Sequence, residues 1–517
     1  DPMQVKWRTS NADVASVLPD GTVIGLSNGS ATITATLLPR DDTTATLNDG
    51  SITTVDTSYR LPANMIQKKS VAVTILGNDE TDDDTDDTNN KNIIVEKEET
   101  KQPGDQEQPG EIKHSNDEVI IELEPKTEGK TSTIIPGENA IADALQKLKE
   151  ENKSTLTFTY SSKDDNEDDD PEVVKLIITS DILDAIADSE ASKIVFETSF
   201  GRMVLKKETI DSLKKHALQN GEKQDITIQI SQISEADIEN YPDDLKKLIG
   251  NRPVYDFSIM VGDKNLRDIT DDPIGLTLEL GNIPEQDLSI NPNQIVGAYI
   301  SEDGKYKLIP LSALIDGKMV IRTAHNSLYS AAYNKVQFDD VSGWSEDFIA
   351  FLSARSIING KGNNKFAPKD NITRAEFVKI MAIVADADMD KFIKSSFKDV
   401  DVNKWYAPYI EWAYTASLVN GIGNDRFAPD ENITREDMAV LISRFAEKLG
   451  FELPELNGEK VFKDNSEIAV YAKESVKSIQ KASIIEGKPN GTFAPKDNAT
   501  REEAAKVFTV LIKLIVE

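Results

Sequence analysis

The sequence predicts a multidomain chain: a truncated β-sandwich, an α+β middle domain and an all-α repeat triplet. Three observations predict it. Residues 1–76 alternate apolar and polar side chains over short runs, as half-buried strands do. Residues 119–335 mix strand and helix periodicities. Residues 337–517 carry one motif three times, about 60 residues apart, the mark of a repeat array.

In the first segment the alternation is clearest in Thr32–Leu37 and Val71–Ile75, with turn signals at Pro19-Asp20-Gly21 and Ser27-Asn28-Gly29. The runs Val5-Lys6-Trp7-Arg8, Val14-Ala15-Ser16-Val17 and Gly21-Thr22-Val23-Ile24-Gly25-Leu26 resemble bacterial Ig-like domains of group 2. That resemblance implies a sandwich with a strand or two before Trp7, so the natural protein is expected to extend further N-terminally. A spacer role is expected for residues 1–76, with adhesion as the alternative. Residues 77–118 hold 15 acids against 4 lysines and two Gln-Pro-Gly clusters, and are expected to be a disordered, self-repelling linker.

The middle segment, 119–335, expected to be an accessory or spacer domain, shows helical patterns near 140–150, 180–188 and 207–218. Strand patterns fall at 155–160, 173–179, 193–197, 225–233, 254–261 and 274–280, with hairpin turns at Asp303-Gly304 and Asp316-Gly317. Within this segment no Gly-x-Ser-x-Gly, His-Glu-x-x-His or phosphate-binding loop occurs. The acidic run 164–170 reads as a solvated tip, and His325 as a structural histidine. Asp386-x-Asp388-x-Asp390 opens like a calcium loop, but Lys391 and Phe397 replace the required Gly and Glu. No enzyme, metal site or cofactor is expected.

The repeats divide as 336–395, 396–458 and 459–517. Each carries one Arg at the start of its second helix: Ile372-Thr373-Arg374-Ala375-Glu376, Ile433-Thr434-Arg435-Glu436-Asp437 and Ala499-Thr500-Arg501-Glu502-Glu503. Eight residues before each Arg stands Phe-Ala-Pro (Phe366, Phe427, Phe493), and fourteen before it a Gly (Gly360, Gly421, Gly487). Further back lies Phe-x-Asp, with Asp340, Asp399 and Asp464. Thr373 with Glu376, Thr434 with Asp437 and Thr500 with Glu503 form capping-box patterns ahead of amphipathic helices. A shorter apolar helix precedes each Gly, carrying Trp344, Trp405 or Tyr471. The Arg sits at N1, where the helix dipole disfavours a cation. Either it pairs with a neighbouring repeat's carboxylate, for instance Asp340, Asp399 or Asp464, or it offers a charge-assisted site for a ligand carboxylate or phosphate. Read from the residues alone, the Asp residues are N-caps of the first helix and the Trp residues are core.

These residues resemble the S-layer homology (SLH) domain. The resemblance implies a helical, pseudo-threefold triplet that binds a secondary cell-wall polysaccharide, often pyruvylated, in grooves between repeats. Arg374, Arg435 and Arg501 would contact the acidic sugar. Asp340, Asp399 and Asp464, with Trp344, Trp405, Gly360, Gly421 and Gly487, would shape the grooves. The third repeat departs most, with Tyr471, Asn465 and Ala499, so its groove is expected to be the weakest.

Composition sets the remaining bounds. The 517 residues contain no Cys and only three His, which excludes disulfides, thiol chemistry and zinc–thiolate sites. A net charge of −32 argues against nucleic acid. No apolar run is long enough for a membrane-spanning helix. The expected protein is secreted and held at the wall or surface layer of a Gram-positive bacterium, with the wall polysaccharide and neighbouring copies as partners. Alternatively it is the anchor of a surface exo-enzyme whose catalytic domain lies N-terminal, or an adhesin.

Overall fold

The computed structural model describes residues 117–160, 171–219, 222–266, 276–280, 291–301 and 303–517, with strand segments among residues 5–115. Residues 1–107 and 108–517 form two compact units. The acidic run 164–170 lies outside the described residues.

In the first unit, strands Val5–Thr9, Gly29–Leu37, Gln67–Ile75 and Ile93–Ile94 make one antiparallel sheet, and Ala15–Val17 pairs with Val23–Gly25. The expected truncated sandwich is corrected to these pairings: a four-stranded sheet and a two-stranded ladder. Ile93–Ile94 falls inside the segment expected to be a linker.

In the second unit the strands before residue 335 build two large sheets and one short ladder, Leu218–Gln219 with Glu222–Lys223. One runs Ser312–Ile315, Lys318–Thr323, Leu276–Leu280, Gly201–Lys206, Lys193–Thr198, Thr155–Tyr160, Glu118–Leu123, Ile112–Ser115. The other runs Tyr306–Leu308, Ile295–Ile300, Ser327–Tyr333, Val254–Val261, Ile226–Gln232, Val173–Ile178, Thr131–Ile134, Lys126–Glu128, with Lys264–Leu266 added on Val254–Val261. Phe158, Phe196 and Leu278 from the first sheet share one buried core with Ile228, Phe257 and Tyr329 from the second. Helices α1 (Glu138–Glu150), α2 (Ser180–Ala187) and α3 (Lys207–Ala217) contribute Ile141, Ile182 and Ile210 to it. Short α4 (Glu235–Ile238) and α5 (Asp243–Ile249) follow. The α+β expectation is therefore corrected: this region is mainly β-sheet. Strands such as Glu118–Leu123 and Gly201–Lys206 complete continuous ladders, and α1 and α2 lie within the connections from Glu118–Leu123 to Thr155–Tyr160 and from there to Lys193–Thr198, which are parallel neighbours.

After residue 335 come α6 (Glu346–Ala354), α7 (Arg374–Val384), α8 (Ala407–Thr415), α9 (Arg435–Lys448), α10 (Lys473–Lys481) and α11 (Arg501–Val516). The all-α expectation is corrected too. The extended residues before α7, α9 and α11 pair through the bridges Asn371↔Thr500, Thr373↔Asn432 and Thr434↔Asn498. Ile372 N donates to Ala499 O (3.0 Å), Ala499 N to Ile433 O (2.9 Å) and Ile433 N to Ile372 O (3.1 Å). A closed ring of backbone hydrogen bonds thus joins the three repeats, satisfying groups that an extended segment in a helical core would otherwise bury unpaired.

The repeats also pack on the sheets. Leu311, Ala313 and Val320 belong to the same core cluster as Leu511, Ile512 and Ile515 of α11. Arg355, just past α6, is 1% exposed and donates to Ser312 O, Asn293 O, Ile295 O and Phe351 O at 2.8–3.0 Å.

Candidate functional site

Each repeat's arginine reaches into the next repeat. Arg374 Nε donates to Phe427 O (3.0 Å), Arg435 Nε to Phe493 O (2.9 Å) and Arg501 Nε to Phe366 O (3.0 Å). The guanidiniums lie over the rings of the same three phenylalanines at 4.9, 5.3 and 4.6 Å. Their Nη1 atoms face the capping acid of that next repeat: Asp437 at 3.9 Å, Glu503 at 2.5 Å and Glu376 at 3.6 Å. Arg501 adds a bond to Asn359 O at 2.7 Å. The neighbouring-repeat carboxylate is therefore present, but it is the capping acid, not Asp340, Asp399 or Asp464. Side-chain exposures of 13%, 5% and 5% leave little guanidinium surface. Burial pulls Arg374 and Arg501 below the usual guanidinium range, and their carboxylate neighbours push back.

The capping acids serve twice. Glu376 and Glu503 accept from the backbone N–H of Thr373 and Thr500 while their other oxygens face the incoming arginines. Thr434 caps α9 through Asp437 N, but the shorter Asp437 makes no reciprocal bond.

The three aspartates hold a turn within their own repeat. Asp340 accepts from Phe366 N (2.8 Å) and Ala367 N (2.9 Å); Asp399 does the same with Phe427 and Ala428, and Asp464 with Phe493 and Ala494. Those alanines have left-handed φ of 57°, 60° and 56°, a strained conformation that the carboxylates secure. Neither reading offered for the aspartates, N-cap or free ligand contact, includes this stapling.

The glycines are places of close approach. A Cβ on Gly360 would meet Phe338 Cε1 at 2.6 Å and Lys365 O at 2.7 Å; Gly421 and Gly487 are crowded in the same way by Phe397 and Phe462. They let the turn lie flat against the Phe-x-Asp ring.

The tryptophans are not core. Trp344 and Trp405 are 54% and 51% exposed. Trp405 stands at the mouth of a 170 Å³ groove with Gly360, Lys361, Glu376, Lys379 and Arg501. Lys379 Nζ is 5.3 Å from the Trp405 ring centroid and 5.9 Å from that of Tyr409. The groove thus combines an exposed indole, two lysines and a fixed arginine contributed by all three repeats. Sequence reasoning missed Lys379 and Lys361. Lys379 stands three residues after the capping acid, as does Lys506 in the third repeat, but Val440 interrupts the pattern in the second.

Of the other candidates, Asp388 caps a 3₁₀ turn (Met389–Lys391), and Asp386 forms an ion pair with Lys307. His325 Nδ1 lies 3.0 Å from the Tyr329 hydroxyl. No cluster of three or more His, Asp or Glu that could hold a metal occurs among the described residues.

Comparison with known proteins agrees with this architecture. The model of the S-layer homology domain matches residues 337–378, 396–439 and 461–505, and that of the bacterial Ig-like domain (group 2) matches 1–47. An amylopullulanase of Thermoanaerobacterium thermosulfurigenes is 34% identical over 38% of this chain and 10% of its own length. An S-layer protein of Bacillus thuringiensis subsp. finitimus is 32% identical over 33% of this chain and 20% of its own. A cellulosome-anchoring protein of Acetivibrio thermocellus is 31% identical over 29% of this chain and 34% of its own. The matches therefore span about a third or less of these relatives. The chain carries three S-layer homology domains, joined in one ring, and an N-terminal bacterial Ig-like domain.

Proposed function

We propose that residues 337–517 fasten this chain to the bacterial cell wall by binding an acidic, pyruvylated secondary polysaccharide in the grooves between repeats. One observation carries the reading: the half-exposed Trp405 beside Lys379, Lys361 and Arg501 in a cleft of sugar size. An indole face packs against the C–H face of a sugar ring while ammonium groups draw a carboxylate. Trp344 would serve the groove above α11 with Lys506 and Lys488, the positions equivalent to Lys379 and Lys361. Arg374, Arg435 and Arg501 act as fixed positive charge at the groove floors, shaped by Gly360, Gly421, Gly487 and the aspartate-stapled turns. Several modest sites on one rigid body raise the effective concentration for a repeating polymer. The wall is that of a Gram-positive cell.

The test is sedimentation of the whole chain with wall sacculi before and after stripping of the secondary polymer. Wild type is expected to pellet only with polymer-bearing walls. Trp344→Ala/Trp405→Ala/Lys379→Ala/Lys506→Ala should bind at least about tenfold more weakly with unchanged circular dichroism. Equal pelleting with stripped walls refutes the reading.

A second reading is favoured by the enzyme relatives, of which the chain matches only a small part. It makes this chain the anchoring portion of a longer surface exo-enzyme, and a catalytic motif in the upstream reading frame would establish it.

A further inference from the structure

The three inter-repeat grooves have different walls. At the position of Trp405 and Trp344 the third repeat carries Tyr471, whose single hydroxyl proton is shared between Asp437 Oδ1 at 2.8 Å and Glu436 Oε1 at 3.2 Å. Glu436 is 2% exposed, also accepts from Ala469 N at 3.0 Å, and pairs with Lys496. The loop bearing Tyr471 is thereby tied down onto the N-terminus of α9. In the first repeat the position of Glu436 is Ala375, which has no such tether to offer to the Trp405 loop. The two lysines of the Trp405 groove, Lys379 and Lys361, are replaced by Val440 and Ile422.

Charge follows the same order. Beneath Tyr471 the cations Arg374 and Lys496 face Asp437 and Glu436. Around the Trp405 groove Arg501 faces Glu376 and Lys361 pairs with Asp370, while Lys379, among the described residues, is held only against aromatic rings. In the third repeat the equivalent Lys506 is paired with Glu486, which stands where the first repeat has Asn359. Surplus positive charge is thus concentrated under Trp405.

We propose that the groove beneath Tyr471 is closed by its own phenol and takes no acidic sugar, and that the groove beneath Trp405 is the principal anion site. An anion entering the closed groove would meet two carboxylates with no free ammonium. It would also have to break the phenol's shared hydrogen bond to two carboxylates, which costs on the order of 1 kcal/mol or more. The inference rests on the anchoring reading and assigns it to particular grooves.

The experiment is calorimetric titration of the whole chain with a methyl hexoside bearing a 4,6-pyruvate ketal, with the indole N–H resonances followed by NMR. Trp405→Ala and Lys379→Ala should each weaken binding about tenfold or more, and Tyr471→Phe and Tyr471→Ala should leave it within about twofold. Ile422→Lys/Val440→Lys/Tyr471→Trp should add a site. If Tyr471→Phe and Tyr471→Ala weaken binding as Trp405→Ala does, at unchanged melting temperature, the closed groove is refuted while anchoring stands. If wild type gives neither heat nor an indole shift, the anchoring reading falls and this inference with it.

Discussion

Arg435 shows how one residue type can be recognised and its task misplaced. Its position at N1 is locally unfavourable, and that mismatch was legible as a sign of a partner elsewhere. The partner was not legible, because Glu503 lies 68 residues away and looks fully used by its own capping box. Only closure of the three repeats into a ring brings its second oxygen to the guanidinium. Arg435→Ala removes a buried donor to Phe493 O and leaves Glu503 facing a void, so a loss of about 3–5 kcal/mol is expected by denaturant unfolding. Arg374→Ala should cost less, since its carboxylate is at 3.9 Å and the side chain is more exposed. Equal losses would contradict the graded geometry. The aspartates predict a pH effect. Desolvation raises the Asp340 and Asp399 carboxyls, but the paired backbone N–H bonds outweigh it and hold both below the ordinary value of 3.8. A depressed folded pKa means that this stabilisation is complete above the unfolded value and is lost as pH falls through the folded one. Asp340→Asn/Asp399→Asn should therefore lower the melting temperature at pH 7, with the gap narrowing below about pH 4. A gap that stays constant down to pH 2 would count against the carboxylates as the source.

At the scale of the element, the turn between the two helices of a repeat is the part most narrowly specified. Gly487 has φ +83° and its missing Cβ would lie 2.5 Å from Phe462 Cε1 and 2.9 Å from Thr492 O. Gly487→Ala should cost about 1–3 kcal/mol from overpacking, with left-handed strain of about 1 kcal/mol added. Gly458 has open space around it and no left-handed φ, so Gly458→Ala should be neutral or stabilising by about 0.4–1 kcal/mol. Differential scanning calorimetry on the pair separates close approach from the general effect of replacing glycine. Caps and turns were readable because their chemistry is local: Thr373, Glu376 and Gly487 announce themselves within a few residues. The groove was only half readable. Its Trp405, Lys379 and Arg501 come from three repeats, and the exposure of Trp405 depends on packing that periodicity does not encode.

For the second unit as a whole, the sequence suggested a boundary near residue 335, where the motif array begins, and a spacer before it. Composition could not show that the array is seated on the sheets. Arg355 is the clearest case: in sequence it is an exposed-looking residue at the end of an apolar helix. In the structure its guanidinium stacks 3.4 Å from the Phe351 ring centroid and donates to Ser312 O, Asn293 O and Ile295 O, all upstream of the boundary. Arg322 Nε answers from the other side by donating to Ile515 O at the end of α11. Cutting the chain at 336 would strip the Arg355 cation of three of its four acceptors, leaving only Phe351 O, and expose the face of α11 that Leu311, Ala313 and Val320 now cover. Residues 108–517 are therefore expected to melt in a single cooperative transition, and residues 337–517 alone at a clearly lower temperature. Arg355→Met fills the space but takes the donor from the three upstream carbonyls as well as from Phe351 O, so it should cost about 3 kcal/mol or more in the long chain. The same substitution should cost far less in the fragment, where the three upstream carbonyls are already gone. Equal melting temperatures for the repeats in both contexts would mean that the sheets are a passive spacer. A lower one for the fragment makes them a platform that keeps the ring, and hence its grooves, in shape.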